Sequence, residues 1–214
     1  GVVLVHGFVC NRGFWTPWLH RLRAQRRACV AVNLEPPFGS IDRMVPVLHE
    51  AVAQVRAATG LPPRVICHSM GGLVARAWLR DLRAAGEEAD AWVERVVTIG
   101  TPHAGTWLAR FSHLPNGRQM RQHSPWLQAL QQDEERAGYG RFTCWWSNCD
   151  NVVMPPSTAT LPGADNRFVA GAAHVQLAFR PEVVEGTLAI IRRHDAAEGD
   201  HSPGANSGSE RRRS

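Results

Sequence analysis

Apolar positions along the 214-residue chain recur with two different spacings, and the two alternate. Gly1-Val2-Val3-Leu4-Val5 is a continuous apolar run of the kind buried on both faces of a parallel sheet. Ala28 to Asn33, Arg64-Val65-Ile66, Trp92 to Ile99, Arg141 to Trp146 and Asn166 to Ala170 read as further strands. Between them lie stretches of helical spacing. Trp15 to Arg26 carries Trp18, Leu19 and Leu22, and Asp42 to Ala58 carries Val45, Leu48, Val52 and Val55 on one face. Pro46 falls in the first turn of that second helix, where proline is tolerated. Leu73 to Arg80 and Pro181 to Arg193 complete the helical set, and Pro36-Pro37-Phe38-Gly39-Ser40 breaks the chain between a strand and a helix. Six strands alternating with helices predict an α/β fold: a doubly wound, mostly parallel six-stranded sheet with helices on both faces. In such a sheet a ligand sits beyond the carboxyl ends of the strands, where strand order reverses.

Two segments depart from the alternation. Residues 102–140 contain no strand signal, which is long for a connection and predicts an insertion with a job of its own. From residue 194 to 214 the chain is Gly, Ser, Ala, Pro and charge, which predicts a disordered tail after a domain spanning residues 1–193. There are no internal repeats.

Composition narrows the class. A hydrophobic content of 44% fills the core of one domain. No apolar stretch approaches the roughly 20 residues of a membrane span, and there is no signal-peptide pattern. The chain opens on Gly1 and not methionine, so upstream residues are expected. As given it points to the cytoplasm; an anchor or export signal upstream would move it to the envelope or outside. All 24 basic residues are arginine, and the net charge of +5 is spread along the chain except at Arg211-Arg212-Arg213, which disfavours nucleic acid as a partner. The expected partner is a small ester or lipid, and the expected state a monomer. The five cysteines are odd in number and lack metal-type pairing; only Cys144 and Cys149 are near enough in sequence to invite a bridge.

Chemistry concentrates in Cys67-His68-Ser69-Met70-Gly71-Gly72, between a strand and a helix. A serine at that junction, with glycine two residues on, describes a nucleophile elbow: the turn strains the serine backbone and projects its hydroxyl above the sheet edge. Cys67 occupies the slot usually held by glycine and is small enough to fit. The bland alternative is a serine at a helix start with no chemical role. A serine hydroxyl needs a base, and the base needs an acid to fix its tautomer. Asp150 follows the fifth strand and His174 the sixth, in the small-residue stretch Gly171-Ala172-Ala173. The order serine, acid, histidine suits this kind of fold. Competing acids are Asp165 and Glu182; competing bases are His194 and His201. An oxyanion would take the backbone N–H of Met70 and that of Phe8, which follows the first strand in Val5-His6-Gly7-Phe8. His6 and His68 read as structural hydrogen-bonding residues. Cys67 reads as a buried small hydrophobe, not a nucleophile.

With these parts in place the chain resembles an α/β-hydrolase of the small bacterial lipase or esterase type, the minimal six-stranded version. The resemblance rests on Val3-Leu4-Val5-His6-Gly7-Phe8, His68-Ser69-Met70-Gly71-Gly72 and Val97-Thr98-Ile99-Gly100-Thr101-Pro102-His103-Ala104-Gly105-Thr106. It continues through Asp150-Asn151-Val152-Val153-Met154 and Leu161-Pro162-Gly163-Ala164-Asp165-Asn166 to His174. It implies carboxylic-ester hydrolysis through an acyl-enzyme, without cofactor, and no loop matches a calcium site. In similar enzymes the insertion forms a cap or lid, and here Trp107, Phe111 and Met120 become candidates for lining an acyl slot. Its arginines would face water or lipid headgroups, and ordinary helix packing with a solvated arginine face remains the other reading. Two further classes stay open: acyl transfer or thioester and amide hydrolysis on the same residues, and a non-catalytic binding module.

Overall fold

The computed structural model describes residues 1–199, with side chains described through residue 192. Six strands, β1 (Val2–Val5), β2 (Cys29–Ala31), β3 (Arg64–His68), β4 (Arg95–Ile99), β5 (Phe142–Ser147) and β6 (Asp165–Val169), form one sheet in the order β2-β1-β3-β4-β5-β6. Every neighbouring pair is parallel. Strand order reverses between β1 and β3, whose register aligns Val5 with Cys67. The loops leaving these strands, His6-Gly7-Phe8 and Ser69-Met70, therefore emerge side by side.

Residue alternation along β1 and β3 decides which helix each face receives. Val3, Val5, Val65 and Cys67 pack against α2 (Val45–Thr59) and α3 (Gly71–Ala84). Val2, Leu4 and Ile66 pack on the other face with Trp15, with Trp18 and Leu22 of α1 (Thr16–Ala24), and with Val183, Leu188 and Ile191 of α7 (Pro181–Gly199). Trp15 and Trp18 are fully sequestered, and the Trp18 indole donates to the Ala178 carbonyl at 2.9 Å. Adjacent Trp145 and Trp146 take opposite faces, as alternation requires: Trp145 is buried and donates to Thr187 Oγ1 at 3.0 Å, while Trp146 packs on Phe168.

Residues 102–140 hold no strand, only a 3-10 turn (Trp107–Phe111), the short α4 (Pro115–Gln119) and α5 (Pro125–Glu134). Polar pairs of long sequence separation fasten them down. Asp42 accepts hydrogen bonds from Trp126 Nε1 (3.0 Å), Gln119 Nε2 (2.7 Å) and Arg80 Nη2 (2.9 Å). Buried Arg76 pairs with Glu134, which also accepts from the Tyr139 hydroxyl, while Arg76 Nη1 donates to the His103 carbonyl. Thr106 N–H donates to the Met120 carbonyl at 2.9 Å, so the segment between them is a loop closed at its base.

Two sequence expectations are corrected and one open question is answered. The closing helix continues to Gly199 instead of stopping at Arg193; beyond it, the expected disordered tail lies outside the described residues from 200 on. His174 is not in an open loop but is the first residue of a single helical turn, α6 (His174–Leu177). Cys144 is buried in β5 and Cys149 exposed beyond it, so they are not bridged, and all five cysteines are free thiols.

Candidate functional site

Ser69 has φ of +54°, the left-handed region that a side chain rarely adopts. The surrounding backbone dictates it. Ser69 N–H donates to the Ile99 carbonyl at 2.9 Å, and the Thr101 hydroxyl donates to the Ser69 carbonyl at 2.8 Å, so the peptide groups on both sides are held. The chain must then turn at once into α3, which leaves no space beside it. A Cβ on Gly71 would stand 2.7 Å from both the Val5 and His6 carbonyl oxygens, and one on Gly7 would stand 2.7 Å from Ser69 Cβ. Gly71 is demanded by close backbone approach and Gly7 by the Ser69 side chain. Cys67 is buried beneath the turn among the residues packed against α2 and α3, and burial pushes its thiol pKa far up.

Asp150 and His174 meet across the ends of β5 and β6. Asp150 Oδ2 is 2.8 Å from His174 Nδ1, and Oδ1 accepts the backbone N–H groups of Val152 (2.9 Å) and Val153 (2.8 Å). Burial opposes ionisation of Asp150, but these bonds, led by that to His174, outweigh it and hold its pKa below the ordinary carboxylate value. With the carboxylate as acceptor, His174 Nδ1 carries a proton, which in the neutral ring leaves Nε2 as the acceptor. The Ser69 turn borders this pair through the Ile99–Gly100 peptide: Ile99 receives the Ser69 N–H, and a Cβ on Gly100 would lie 3.1 Å from Asp150 Oδ2 and 3.2 Å from His174 Nδ1. Among the described residues neither the Ser69 hydroxyl nor His174 Nε2 has a hydrogen-bond partner, and neither do the backbone N–H groups of Phe8 and Met70. Four polar groups at the carboxyl edge of β1, β3 and β6 are thus unclaimed.

His6 is committed elsewhere. Its Nε2 accepts the Leu34 N–H at 3.0 Å, so Nδ1 donates to the Gly7 carbonyl at 2.8 Å, tying the β1 loop to the chain beyond β2. His68 stacks on Phe14 with centroids 4.5 Å apart and sits 4.7 Å from the His174 ring. Asp165 starts β6 and pairs with Arg167, at the opposite edge of the sheet from Ser69; exposed Glu182 pairs with Arg180. His194 falls in the last turns of α7, and His201 lies outside the described residues. Of the candidates for an acyl slot, Trp107 and Phe111 stand 43% and 62% exposed, edge to face at 5.2 Å with the Arg110 guanidinium over both rings. Met120 is instead packed in the core. Apolar Val9 and Phe38, in loops, and Val175, in α6, are also exposed at the same edge as Ser69. Among the described residues no group of three or more metal-binding side chains gathers.

A family described only as a domain of unknown function (DUF7379) matches residues 48–128, less than half of the chain. No curated protein matches. Solved structures do. A lipase of Bacillus licheniformis, BlEst2 in mature form, superposes with a TM-score of 0.70 at 16% identity, covering 91% of this chain and 90% of its own. The product of gene lin2722 of Listeria innocua gives 0.66 at 15% identity, covering 90% of this chain and 93% of its own. Aspergillus fumigatus lipase B gives 0.66 at 20% identity, covering 78% of this chain and 44% of its own. The chain has the α/β-hydrolase fold. In that fold the reversal of strand order between β1 and β3 is where a ligand is received, and Ser69 stands there.

The sequence missed the groups that hold the site's loops together. Asn148 Oδ1 accepts the Gly171 N–H (3.0 Å), Ser147 Oγ that of Ala172 (3.0 Å), and Asn151 Oδ1 that of His174 (3.1 Å). The only signal was three short polar side chains flanking Asp150, a pattern shared with any turn.

Proposed function

We propose that the protein is a serine hydrolase that cleaves apolar carboxylic esters through an acyl-enzyme, with Ser69 as nucleophile, His174 as base and Asp150 as its orienting acid. The observation that carries this reading is the 2.8 Å bond from His174 Nδ1 to Asp150 Oδ2, in a pair that the Ile99–Gly100 peptide joins to a serine held at φ +54°. Ser69 Oγ attacks the ester carbonyl while His174 Nε2 takes its proton. The charge that develops on the carbonyl oxygen falls to the unclaimed N–H groups of Phe8 and Met70. Collapse expels the alcohol, which receives the proton from His174. Water then repeats the sequence on the acyl-enzyme and releases the acid. Asp150 stays ionised throughout and stabilises the imidazolium. No step calls for a cofactor.

The apolar side chains at the carboxyl edge, Phe38, Val9, Trp107, Phe111 and Val175, support an apolar acyl or alcohol group over a charged one. Residues 102–140 act as the cap that carries two of them, and the Trp107–Arg110–Phe111 turn is the part suited to touch a lipid surface. The test is hydrolysis of p-nitrophenyl esters of increasing acyl length by wild type, Ser69→Ala, His174→Ala and the double variant. Each single variant loses all but a residue of activity, and the double is little worse than either, because the two residues act as a unit. Ser69→Ala retaining more than a few per cent of the rate would exclude the serine mechanism.

A further inference from the structure

The position of a base is set by its backbone as well as by its ring. The bond to Asp150 fixes how the His174 imidazole turns, but the distance of Nε2 from Ser69 depends on where the His174 Cα is held. Its own helix cannot hold it: α6 is four residues long, and an isolated turn is unstable in water. Two side chains from outside do so instead. Asn151 Oδ1 accepts the His174 N–H at 3.1 Å, and His68 Nε2 lies 3.2 Å from the His174 carbonyl oxygen. Facing an oxygen with no proton of its own, His68 Nε2 must be the protonated nitrogen. His68 is buried, stacked on Phe14, and kept neutral by that burial and by His174, which push its pKa down to about 3. Its other nitrogen has no partner among the described residues, so the bond to His174 is the single polar contact for which this side chain is desolvated.

The chain positions of the two residues give the arrangement its meaning. His68 immediately precedes Ser69 and Asn151 immediately follows Asp150. The backbone of His174 is therefore gripped on its carbonyl side by the neighbour of the nucleophile and on its N–H side by the neighbour of the acid. We propose that His68 and Asn151 are positioning residues that set the reach of His174 to Ser69 by holding the two peptide groups that flank its Cα. Movement of the elbow or of the acid loop is then transmitted to the base, and the three groups keep their spacing as one body.

The proposal rests on the Ser69–His174–Asp150 reading, and the experiment separates the two. His68→Phe keeps the stacking and removes the donor; Asn151→Leu keeps the bulk and removes the acceptor. His68→Gln and Asn151→Asp each restore the missing group. Displacement of a base by about 1 Å lowers turnover by roughly 100-fold. The expected result is a kcat loss on the order of 10- to 100-fold for His68→Phe and Asn151→Leu, with KM nearly unchanged and most of the rate recovered in His68→Gln and Asn151→Asp. The Phe/Leu double variant should lose less than the product of the single losses, since one backbone is being held. The proposal is overturned if both removing variants keep kcat within about threefold of wild type, or if the restoring variants are as impaired as the removing ones. Should a removing variant fail to fold by circular dichroism, the comparison of the restoring variant with wild type still decides, because full activity there requires that the restored bond suffices. Ser69→Ala measured alongside distinguishes the failures. An active Ser69→Ala defeats the parent reading, whereas an inactive one with unaffected clamp variants defeats the clamp alone.

Discussion

Asp150→Asn is the most discriminating single substitution, because the structure dictates what the new amide must do. Asp150 Oδ1 accepts two backbone N–H groups, from Val152 at 2.9 Å and Val153 at 2.8 Å. Only an oxygen can occupy that place, so the asparagine carbonyl is held there and its NH2 is forced to the position of Oδ2, 2.8 Å from His174 Nδ1. Two donors cannot face each other. The imidazole responds by moving its proton to Nε2, and a protonated Nε2 cannot take the serine proton. The variant keeps its shape and its N–H bonds to the loop, yet presents the wrong tautomer of its base. An acid-to-amide change of this kind lowers turnover by roughly 10,000-fold, which is about 5 kcal/mol of barrier. The assay is kcat on a short p-nitrophenyl ester, with a thermal melt to show that the variant is folded. Asp165→Asn, at the far edge of the sheet beside Arg167, is the control and should change kcat by less than about threefold. A loss below 100-fold in Asp150→Asn, or a larger loss in Asp165→Asn, would refute the tautomer argument and move the acid elsewhere.

Cys67→Gly should retain most activity, while Cys67→Leu should lower the melting temperature and the activity together, by overpacking the α3 start at about 1–3 kcal/mol. Iodoacetamide applied to the native protein should leave Cys67 unmodified while labelling exposed Cys149, as read by peptide mass; rapid modification of Cys67 with loss of activity would place the thiol in the proposed site. Stability should fall as pH drops below about 6.5, since His68 and His103 are buried with their pKa values lowered from 6.5. For His68 the folded value is about 3, so between these limits the unfolded chain binds a proton that the folded chain refuses, and its contribution is complete above pH 6.5. Asp42 and Asp150, also lowered, add their losses only in the more acid carboxylate range. Urea midpoints at pH 8, 7, 6 and 5 should therefore decline before any carboxylate titrates; a flat series from pH 7 to 5 would contradict the burial of neutral histidine.

The parts of this molecule governed by periodicity were the most legible. Continuous apolar runs mark strands covered on both faces, so β1, β3 and β4 were visible, as was the helix that starts after Ser69. The elbow was legible because a tight strand-to-helix turn accepts so few residue types, and Gly71 is one that the Val5 and His6 carbonyls require. What escaped was set by pairs distant in sequence. Nothing local shows that Asp42 will collect Trp126 and Gln119, some eighty residues on, or that Met120 will be drawn into the core while Trp107 and Phe111 of the same insertion stay at the surface. His68 was legible as a hydrogen-bonding residue but its partner was not, and the bond from His174 to Asn151 escaped altogether, for the same reason. A residue such as Asn151 reads as filler until the loop that carries His174 is in place. The α6 turn is too short for any hydrophobic period, and Gly171-Ala172-Ala173 before it looks like free loop.

The closed base of the loop between Thr106 and Met120 lets the turn inside it vary in length. Thr106 donates to the Met120 carbonyl, and its hydroxyl bonds the Val152 carbonyl, so the loop's ends are joined to each other and to the body of the protein whatever lies between. Trp107 and Phe111 hang from that junction. Because the entropy of closing a loop grows only with the logarithm of its length, doubling this one would cost about 0.6 kcal/mol. On the proposed reading, the Trp107–Phe111 turn can therefore change in length at little entropic cost, while the residues around Ser69, fastened independently by the sheet, keep their spacing. What the proposed site accepts is then partly separable from the chemistry proposed for Ser69, with Val9, Phe38 and Val175 outside the loop supplying the rest of the wall.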